Sequence, residues 1–228
     1  MYDEPVFRAA GDQAVLVELG DEISPETNAR VHGLARAIEE AGVDGLVDLI
    51  PAYDSLLVQY DATAISTADL QARIVELDSG PTETEGSGRV VELPVLYGGE
   101  QGPDIDRVAE HAGMPVDEVI GLHSGTDYLV YMLGFTPGFP YLGGLDERLA
   151  TPRVATPRLE IPGGSVGIAE SQTGVYPLTS PGGWNIIGRT PLSLFDPTRE
   201  PPSLLAPGDL VRFVPLDGPE DYARVAEG

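Results

Sequence analysis

The sequence is 228 residues long and strongly acidic, with 37 acidic against 13 basic residues and a net charge of −24. All 13 basic residues are arginine, and the chain has neither lysine nor cysteine. This composition excludes disulfides, thiolate metal sites, a Schiff-base lysine, a lysine-dependent phosphate loop and a biotinylated lysine on this chain. A polyanion of this kind is also not expected to bind nucleic acid or an anionic membrane.

The acidity has two interpretations. It can be a solvated coat suited to a high-salt, halophilic cytoplasm, or it can serve a cationic partner. No apolar run approaches the roughly 20 residues that a membrane-spanning helix needs. The first residues also lack the basic and apolar regions of an export signal. We therefore expect a cytoplasmic protein.

Residues 1–80 have the pattern of a small α+β domain. Ser24 and Pro25 are expected to open its first helix, because a serine side chain can accept a hydrogen bond from a free helix amide and proline has no amide to satisfy. Gly42 follows the end of the apolar stripe of this helix and marks its end. The predicted elements are a strand at 14–19, this first helix, strands at 46–50 and 55–60, and a second helix at 67–77.

Residues 81–88 are polar and glycine-rich, and we predict that they form a linker to a second domain at 89–228. From residue 128 onward, strand-like runs alternate with glycine and proline turns, and no long helix is predicted. This pattern is typical of a compact antiparallel β-barrel. The elements predicted before residue 128 are a strand at 89–96 and short helices at 104–112 and 115–122.

The block at 131–191 differs from the rest of the chain. It holds 11 of the 28 glycines and 8 of the 21 prolines. Its four arginines balance its four acidic residues, so the whole net charge of −24 lies outside it. Glycine permits close backbone approach and proline fixes the backbone, so this density predicts rigid, shaped loops. On composition alone, a turn-rich barrel without a site is an equal alternative.

This block contains several unusual motifs. They are GFTPGFPYL at 134–142, TPR at 151–153 and 156–158, PGGSVGI at 162–168, QTGVYP at 172–177, SPGGW at 180–184 and IGRTP at 187–191. Upstream of them lie LHS at 122–124 and Tyr128. Together these motifs resemble the KipI / allophanate hydrolase subunit 1 family of 5-oxoprolinase subunits, which contains the carboxyltransferase subdomains C and D. The resemblance covers nearly the whole chain in order.

The resemblance implies a small N-terminal α+β domain followed by a cyclophilin-like antiparallel β-barrel. It also implies KipA-like and LamB/YcsF-like subunits as partners in the ATP-dependent cleavage of 5-oxo-L-proline to L-glutamate. ATP would be bound by one of these partners or shared with it. Two alternatives are open: a regulatory protein that inhibits a sensor histidine kinase, and a component of a urea carboxylase or allophanate hydrolase system.

Three residues are candidates for catalysis. His123 can act as a general base or carboxylate ligand, and the alternative is a helix-end histidine bonded to the backbone. Arg153 and Arg158 share a Thr-Pro-Arg frame, and their guanidinium forks suit a carboxylate or phosphate. The alternative for both arginines is ion pairing with acidic residues. The sequence shows no spacing of metal ligands, so no metal is expected.

The remaining candidates would bind substrate. Ser180, Gly182 and Gly183 can offer a backbone cradle beside Trp184, the one tryptophan of the chain. Ser165 lies in a conspicuous glycine turn, although no nucleophile elbow surrounds it. Arg189 is a further cation for an anionic ligand. The expected pocket walls, each with core packing as its alternative, are Tyr128, Phe139, Tyr141, Gln172 and Tyr176.

Overall fold

The structure is a computed structural model that describes residues 1–80 and 89–227. The predicted linker at 81–88 lies outside the described residues. The chain divides into two compact units, Met1–Glu85 and Gly86–Gly228.

The N-terminal unit is a four-stranded antiparallel sheet with two helices. The sheet order is β1-β2-β4-β3. Strand β1 was not predicted from the sequence, because it is an edge strand whose mostly exposed residues show no apolar alternation. The elements are β1 (Val6–Ala9), β2 (Ala14–Glu18), α1 (Pro25–Glu40), β3 (Leu46–Pro51), β4 (Ser55–Tyr60) and α2 (Thr67–Leu77).

The start of α1 is the one that the sequence predicts. The Ser24 hydroxyl oxygen accepts a hydrogen bond from the Thr27 amide at 3.1 Å, and Pro25 occupies the first helical turn. Val31, Leu34 and Ile38 of α1 then pack against the sheet in one apolar cluster. Helix capping and apolar periodicity together account for this element.

The C-terminal unit is a closed seven-stranded barrel in the order β10-β7-β6-β13-β5-β12-β9, with a separate two-stranded sheet of β8 and β11. The elements are β5 (Val90–Tyr97), α3 (Ile105–Ala112), α4 (Val116–Ser124), β6 (Asp127–Leu133), β7 (Pro140–Gly143), a 3₁₀ turn (Glu147–Leu149), β8 (Arg158–Ile161), β9 (Ser165–Ala169), β10 (Gln172–Val175), β11 (Ser180–Gly182), β12 (Asn185–Arg189), β13 (Leu210–Pro215) and α5 (Pro219–Ala226).

The predicted α+β class and the barrel are confirmed, with two differences from the sequence prediction. Strand β13 pairs in parallel with β5, so the barrel is not wholly antiparallel. This pairing joins strands more than 100 residues apart in sequence, so local patterns do not reveal it. The short helix α5 was also not predicted, and none of its residues is buried. No helix within residues 1–80 or 89–227 has the length and apolar character needed to cross a bilayer.

The barrel wall is buried on both faces where β9, β10 and β12 run. Val166, Ile168 and Val175 belong to the main core inside the barrel. Ala169 and Ile186, on the same strands, belong to a second cluster that contains Phe139, Ile161, Tyr176 and Trp184. Because side chains alternate across a strand, this second cluster covers the outer face of the wall. The candidate site lies against that outer face.

Candidate functional site

A cavity of about 310 Å³ opens beside the second cluster. This volume is at the lower end of the range for small-molecule sites. Its lining combines aromatic rings, prolines and glycines with one cationic and one amide side chain. The lining residues are Phe135, Phe139, Tyr141, Arg153, Pro157, Gln172, Tyr176, Pro181, Gly182, Gly183 and Trp184.

Phe139 is the centre of the aromatic wall. Its ring makes edge contacts with Tyr141, Tyr176 and Trp184, at centroid distances of 5.2, 5.5 and 5.7 Å. Edge-to-face pairs of this kind add about 0.5–1.5 kcal/mol each beyond the burial of their area. The wall is therefore packed rigidly and does not need a ligand to order it.

Two glycines let these rings approach the strands. A Cβ atom on Gly182 would lie 2.3 Å from the Tyr176 hydroxyl oxygen. A Cβ atom on Gly174 would lie 3.0 Å from Phe139 and 3.1 Å from Trp184. The glycine density of the block thus has a specific physical reason at these two positions.

Phe135 completes the cavity from a strained loop. Its φ angle of 64° is in the left-handed region, which is unusual for a bulky side chain. The ring is 63% exposed and contacts Phe139 at a centroid distance of 5.5 Å. The sequence reasoning missed Phe135, although it lies in the GFTPGFPYL motif, and it also missed Pro157 and Pro181. Pro157 lies in the second TPR motif and Pro181 in the SPGGW motif, so membership of these motifs would have identified both prolines.

Arg153 supplies the positive charge of the cavity. Among residues 1–80 and 89–227, its guanidinium has no ion-pair or hydrogen-bond partner. This is notable because the chain has 37 acidic residues that could pair with it. Arg153 therefore lines the cavity with a full charge and with its donors available to an anion.

The backbone on either side of Arg153 is fixed. Asn185 donates its side-chain amide to the Pro152 carbonyl at 3.0 Å. The Val154 amide donates to the Gly183 carbonyl at 2.9 Å. The Cα of Arg153 is therefore held in place, so only its side chain would have to be ordered if an anion bound there.

Arg158 does not line the cavity and has a carboxylate partner. Its Nη2 donates to Asp104 Oδ1 at 2.7 Å, and Asp104 Oδ2 accepts the Ile186 amide at 2.7 Å. The Nη1 atom of Arg158 is buried without a hydrogen-bond partner among the described residues. This geometry matches the alternative in which Arg158 pairs with an acidic residue, here the nearly buried Asp104 at the start of α3. A catalytic role for Arg158 stays a prediction.

The phenol of Tyr176 is a neutral donor at neutral pH. Burial raises its pKa to about 12, and the Trp184 backbone amide and the charges of Arg153 and Arg158 partly oppose that rise. A neutral phenol in an aromatic wall can donate a hydrogen bond to a carbonyl or carboxylate oxygen.

His123 and Tyr128 lie inside the barrel and not at the cavity. Both are fully buried, and the Tyr128 hydroxyl donates to the His123 carbonyl at 2.8 Å. Both ring nitrogens of His123 are hydrogen-bonded to side chains, to Tyr97 and Thr173. Burial lowers the pKa of His123 to about 3, so the imidazole is neutral at physiological pH. Its expected part in catalysis stays a prediction that this placement does not favour.

Three other candidates do not line the cavity. Ser165 is buried at the start of β9, and Arg189 donates from Nε to the Gly163 carbonyl at 2.8 Å. The Ser180 hydroxyl is buried with no hydrogen-bond partner among the described residues. The described part of the chain also contains no group of three His, Cys, Asp or Glu side chains that could hold a metal. Eight of the predicted site residues line the cavity: Phe139, Tyr141, Arg153, Gln172, Tyr176, Gly182, Gly183 and Trp184.

The fold and the cavity define a class of protein: a cyclophilin-like barrel with a cavity on the outer face of its wall. Residues 5–205 match the family described as carboxyltransferase domain, subdomain C and D. The chain belongs to this family.

Two relatives and one solved structure place the chain within the family. It is 45% identical to the B-type subunit of 5-oxoprolinase from Bacillus subtilis (strain 168), over 95% of both chains. It is also 45% identical to the B-type subunit of 5-oxoprolinase from Escherichia coli O157:H7, over 90% of this chain and 93% of the relative. The crystal structure of TTHA0988 superposes with a TM-score of 0.80 at 41% identity. The superposition covers 91% of this chain but only 40% of the TTHA0988 chain.

Proposed function

We propose that this chain is the B-type subunit of an ATP-dependent 5-oxoprolinase, which converts 5-oxo-L-proline into L-glutamate. The observation that carries the proposal is the 45% identity to a B-type 5-oxoprolinase subunit over 95% of both chains. Similarity at this level over 95% of the chain extends into both compact units.

The reaction opens a lactam, which is a stable amide. Transfer of the γ-phosphoryl group of ATP to the lactam oxygen releases ADP and makes the ring carbon electrophilic. Water then attacks that carbon, the C–N bond breaks, and the nitrogen leaves as the amine of a ring-opened acyl phosphate. A second water hydrolyses this acyl phosphate to the glutamate carboxylate and releases phosphate. Overall, ATP, two waters and 5-oxoproline give glutamate, ADP and phosphate.

The cavity supports a substrate-binding role for this chain. 5-Oxoproline is a small flat ring with a carboxylate, and the cavity has aromatic walls and an unpaired guanidinium. We assign the carboxylate to Arg153, whose fork can form two parallel charge-assisted hydrogen bonds. The Tyr176 phenol and the Gln172 amide are the polar groups that can orient the ring oxygen.

The remaining machinery belongs to partner chains in this proposal. The sequence has no lysine and no phosphate-binding loop, and a cavity of about 310 Å³ does not suit a nucleoside triphosphate. ATP is therefore bound mainly by a KipA-like or a LamB/YcsF-like partner, in a cytoplasmic complex. The relatives are themselves named as 5-oxoprolinase subunits, which supports an assembly of several different chains.

Reconstitution with a choice of substrate tests the proposal. The purified chain is mixed with its cognate KipA-like and LamB/YcsF-like partners and ATP, and either 5-oxoproline or urea is supplied. We expect glutamate from 5-oxoproline and no ATP hydrolysis stimulated by urea. Stimulation by urea alone would assign the chain to a urea carboxylase system instead.

A further inference from the structure

A chain of hydrogen bonds runs through the interior of the barrel directly behind the cavity wall. Tyr97 of β5 contacts His123 Nδ1 at 2.8 Å, and His123 Nε2 contacts the Thr173 hydroxyl at 2.8 Å. The Thr173 hydroxyl in turn donates to the Gly167 carbonyl of β9 at 3.1 Å. This series of hydrogen bonds thereby connects α4 and strands β5, β9 and β10.

The bond to Gly167 fixes the direction of every other bond. A carbonyl oxygen can only accept, so the one proton of the Thr173 hydroxyl points at Gly167. The Thr173 oxygen must then accept from His123, which places the imidazole proton on Nε2. His123 Nδ1 is left as an acceptor and takes the proton of the Tyr97 phenol. Every donor and acceptor of the imidazole is satisfied in a single tautomer.

The Thr173 end of this series of hydrogen bonds lies at the cavity wall. Thr173 points into the barrel, whereas its neighbours Gln172 and Gly174 lie on the opposite face of β10. Gln172 lines the cavity, and a Cβ atom on Gly174 would lie 3.0 Å from Phe139 and 3.1 Å from Trp184, two of the cavity rings. A Cβ atom on Gly167 would lie 3.2 Å from Trp184 Cβ, so β9 also supports the wall closely. A displacement of Thr173 or Gly167 would therefore move the cavity surface.

From this geometry we infer that His123 is a positioning residue for the ligand cavity, and that it acts through Thr173 on strands β9 and β10. It does not touch the ligand or carry a proton to it. The burial that lowers the pKa of His123 to about 3 keeps the ring neutral, so the hydrogen-bond directions do not change in the physiological range. The effect on turnover rests on the proposed function, whereas the tautomer and the wall geometry do not.

The first test uses the isolated chain. Three histidines are present, so ¹⁵N-labelled imidazoles can be resolved by long-range ¹H–¹⁵N correlation and assigned with His32→Gln and His111→Gln variants. We expect His123 to be the neutral Nε2–H tautomer from pH 7 down to pH 5. A protonated ring, or the Nδ1–H tautomer, in this range overturns the proposed chain.

The second test separates positioning from general stability. Thr173→Val removes the hydroxyl and keeps the shape of the side chain, whereas Thr173→Ser keeps a hydroxyl. Thr190→Val is the control, at another buried threonine that takes no part in the hydrogen bonds of His123. In the reconstituted complex we expect Thr173→Val to raise KM for 5-oxoproline about tenfold with kcat nearly unchanged. Thr173→Ser should recover most of that loss, and Thr190→Val should leave KM unchanged.

A spectroscopic readout keeps this test independent of the enzymatic activity. Trp184 is the one tryptophan of the chain and lines the cavity, so its fluorescence reports on the wall in the isolated protein. We expect its emission maximum to shift in Thr173→Val but not in Thr173→Ser or Thr190→Val. Unchanged emission in Thr173→Val, with unchanged KM, overturns the positioning role. A shift without any 5-oxoprolinase activity in the wild-type complex supports the positioning role and counts against the proposed function alone.

Discussion

Replacing Arg153 by lysine gives the most specific test of the cavity. Lysine keeps the positive charge but presents a point charge instead of a planar fork, so one of two parallel hydrogen bonds to a carboxylate is lost. A charge-assisted hydrogen bond contributes about 1.5–3 kcal/mol when buried. Arg153 is exposed at the cavity edge, so the lower end applies and kcat/KM should fall at least tenfold, equivalent to about 1.4 kcal/mol.

The same substitution should leave folding unaffected. Arg153 has no ion-pair partner among the described residues, and the backbone on either side of it is held by hydrogen bonds that do not involve its side chain. We expect the free energy of unfolding to change by less than about 0.5 kcal/mol. The loss of activity can then be assigned to the ligand.

The assay is steady-state glutamate production by the reconstituted complex, with assembly checked by size-exclusion chromatography. Arg212→Lys is the matched control, because Arg212 is ion-paired to Asp127 on the surface and does not line the cavity. It should retain wild-type kcat/KM. Full activity of Arg153→Lys would refute the carboxylate assignment, and failure to assemble would place Arg153 at an interface with a partner chain.

Three further predictions address the wall, the acidity and the buried histidine. Gly182→Ala should raise KM at least tenfold, because its Cβ would lie 2.3 Å from the Tyr176 hydroxyl. Gly183→Ala is the control and should be tolerated, because the nearest atom to its Cβ would be 3.6 Å away. Equal KM values for the two variants would contradict this. The melting temperature should rise markedly between about 0.1 and 2 M salt, where the Debye length falls from roughly 10 Å to a few ångström, because the net charge is −24; a flat melting temperature would count against the halophilic interpretation. The unfolded chain binds a proton on His123 below pH 6.5, whereas the folded chain, in which burial lowers the pKa of His123 to about 3, does not. His123 should therefore contribute a loss of stability of about 1.4 kcal/mol per pH unit below 6.5, measured in urea titrations as the difference between the wild-type and His123→Gln slopes; equal slopes would contradict this.

Local signals in the sequence predicted helices α1 to α4 and strands β2 to β5, and after residue 128 they predicted a barrel without the bounds of its strands. The Ser24 cap and the apolar stripe of α1 depend on residues within a few turns of each other, so they can be read directly. The parallel pairing of β13 with β5 depends on residues far apart in the chain, and no local pattern encodes it. The exposed edge strand β1 lacked the apolar alternation that identifies a strand.

The cavity was predictable in composition but not in arrangement. The motif block contained all of its lining residues, because shaped loops need glycine, proline and aromatic side chains. The sequence did not indicate which face of the barrel each residue occupies. His123 therefore looked like a base at a site, although it lies inside the barrel. The pairing of Arg158 with Asp104 was also hidden, since these residues are 54 positions apart.

The ratio of glutamate to ADP in the reconstituted mixture tests the central claim most directly. The complete mixture of this chain with its KipA-like and LamB/YcsF-like partners should form one glutamate for each ADP when 5-oxoproline is supplied. Omitting this chain should abolish glutamate formation, and this chain alone should form none. Glutamate formed at the same rate without this chain would contradict the assignment of the protein to a 5-oxoprolinase complex.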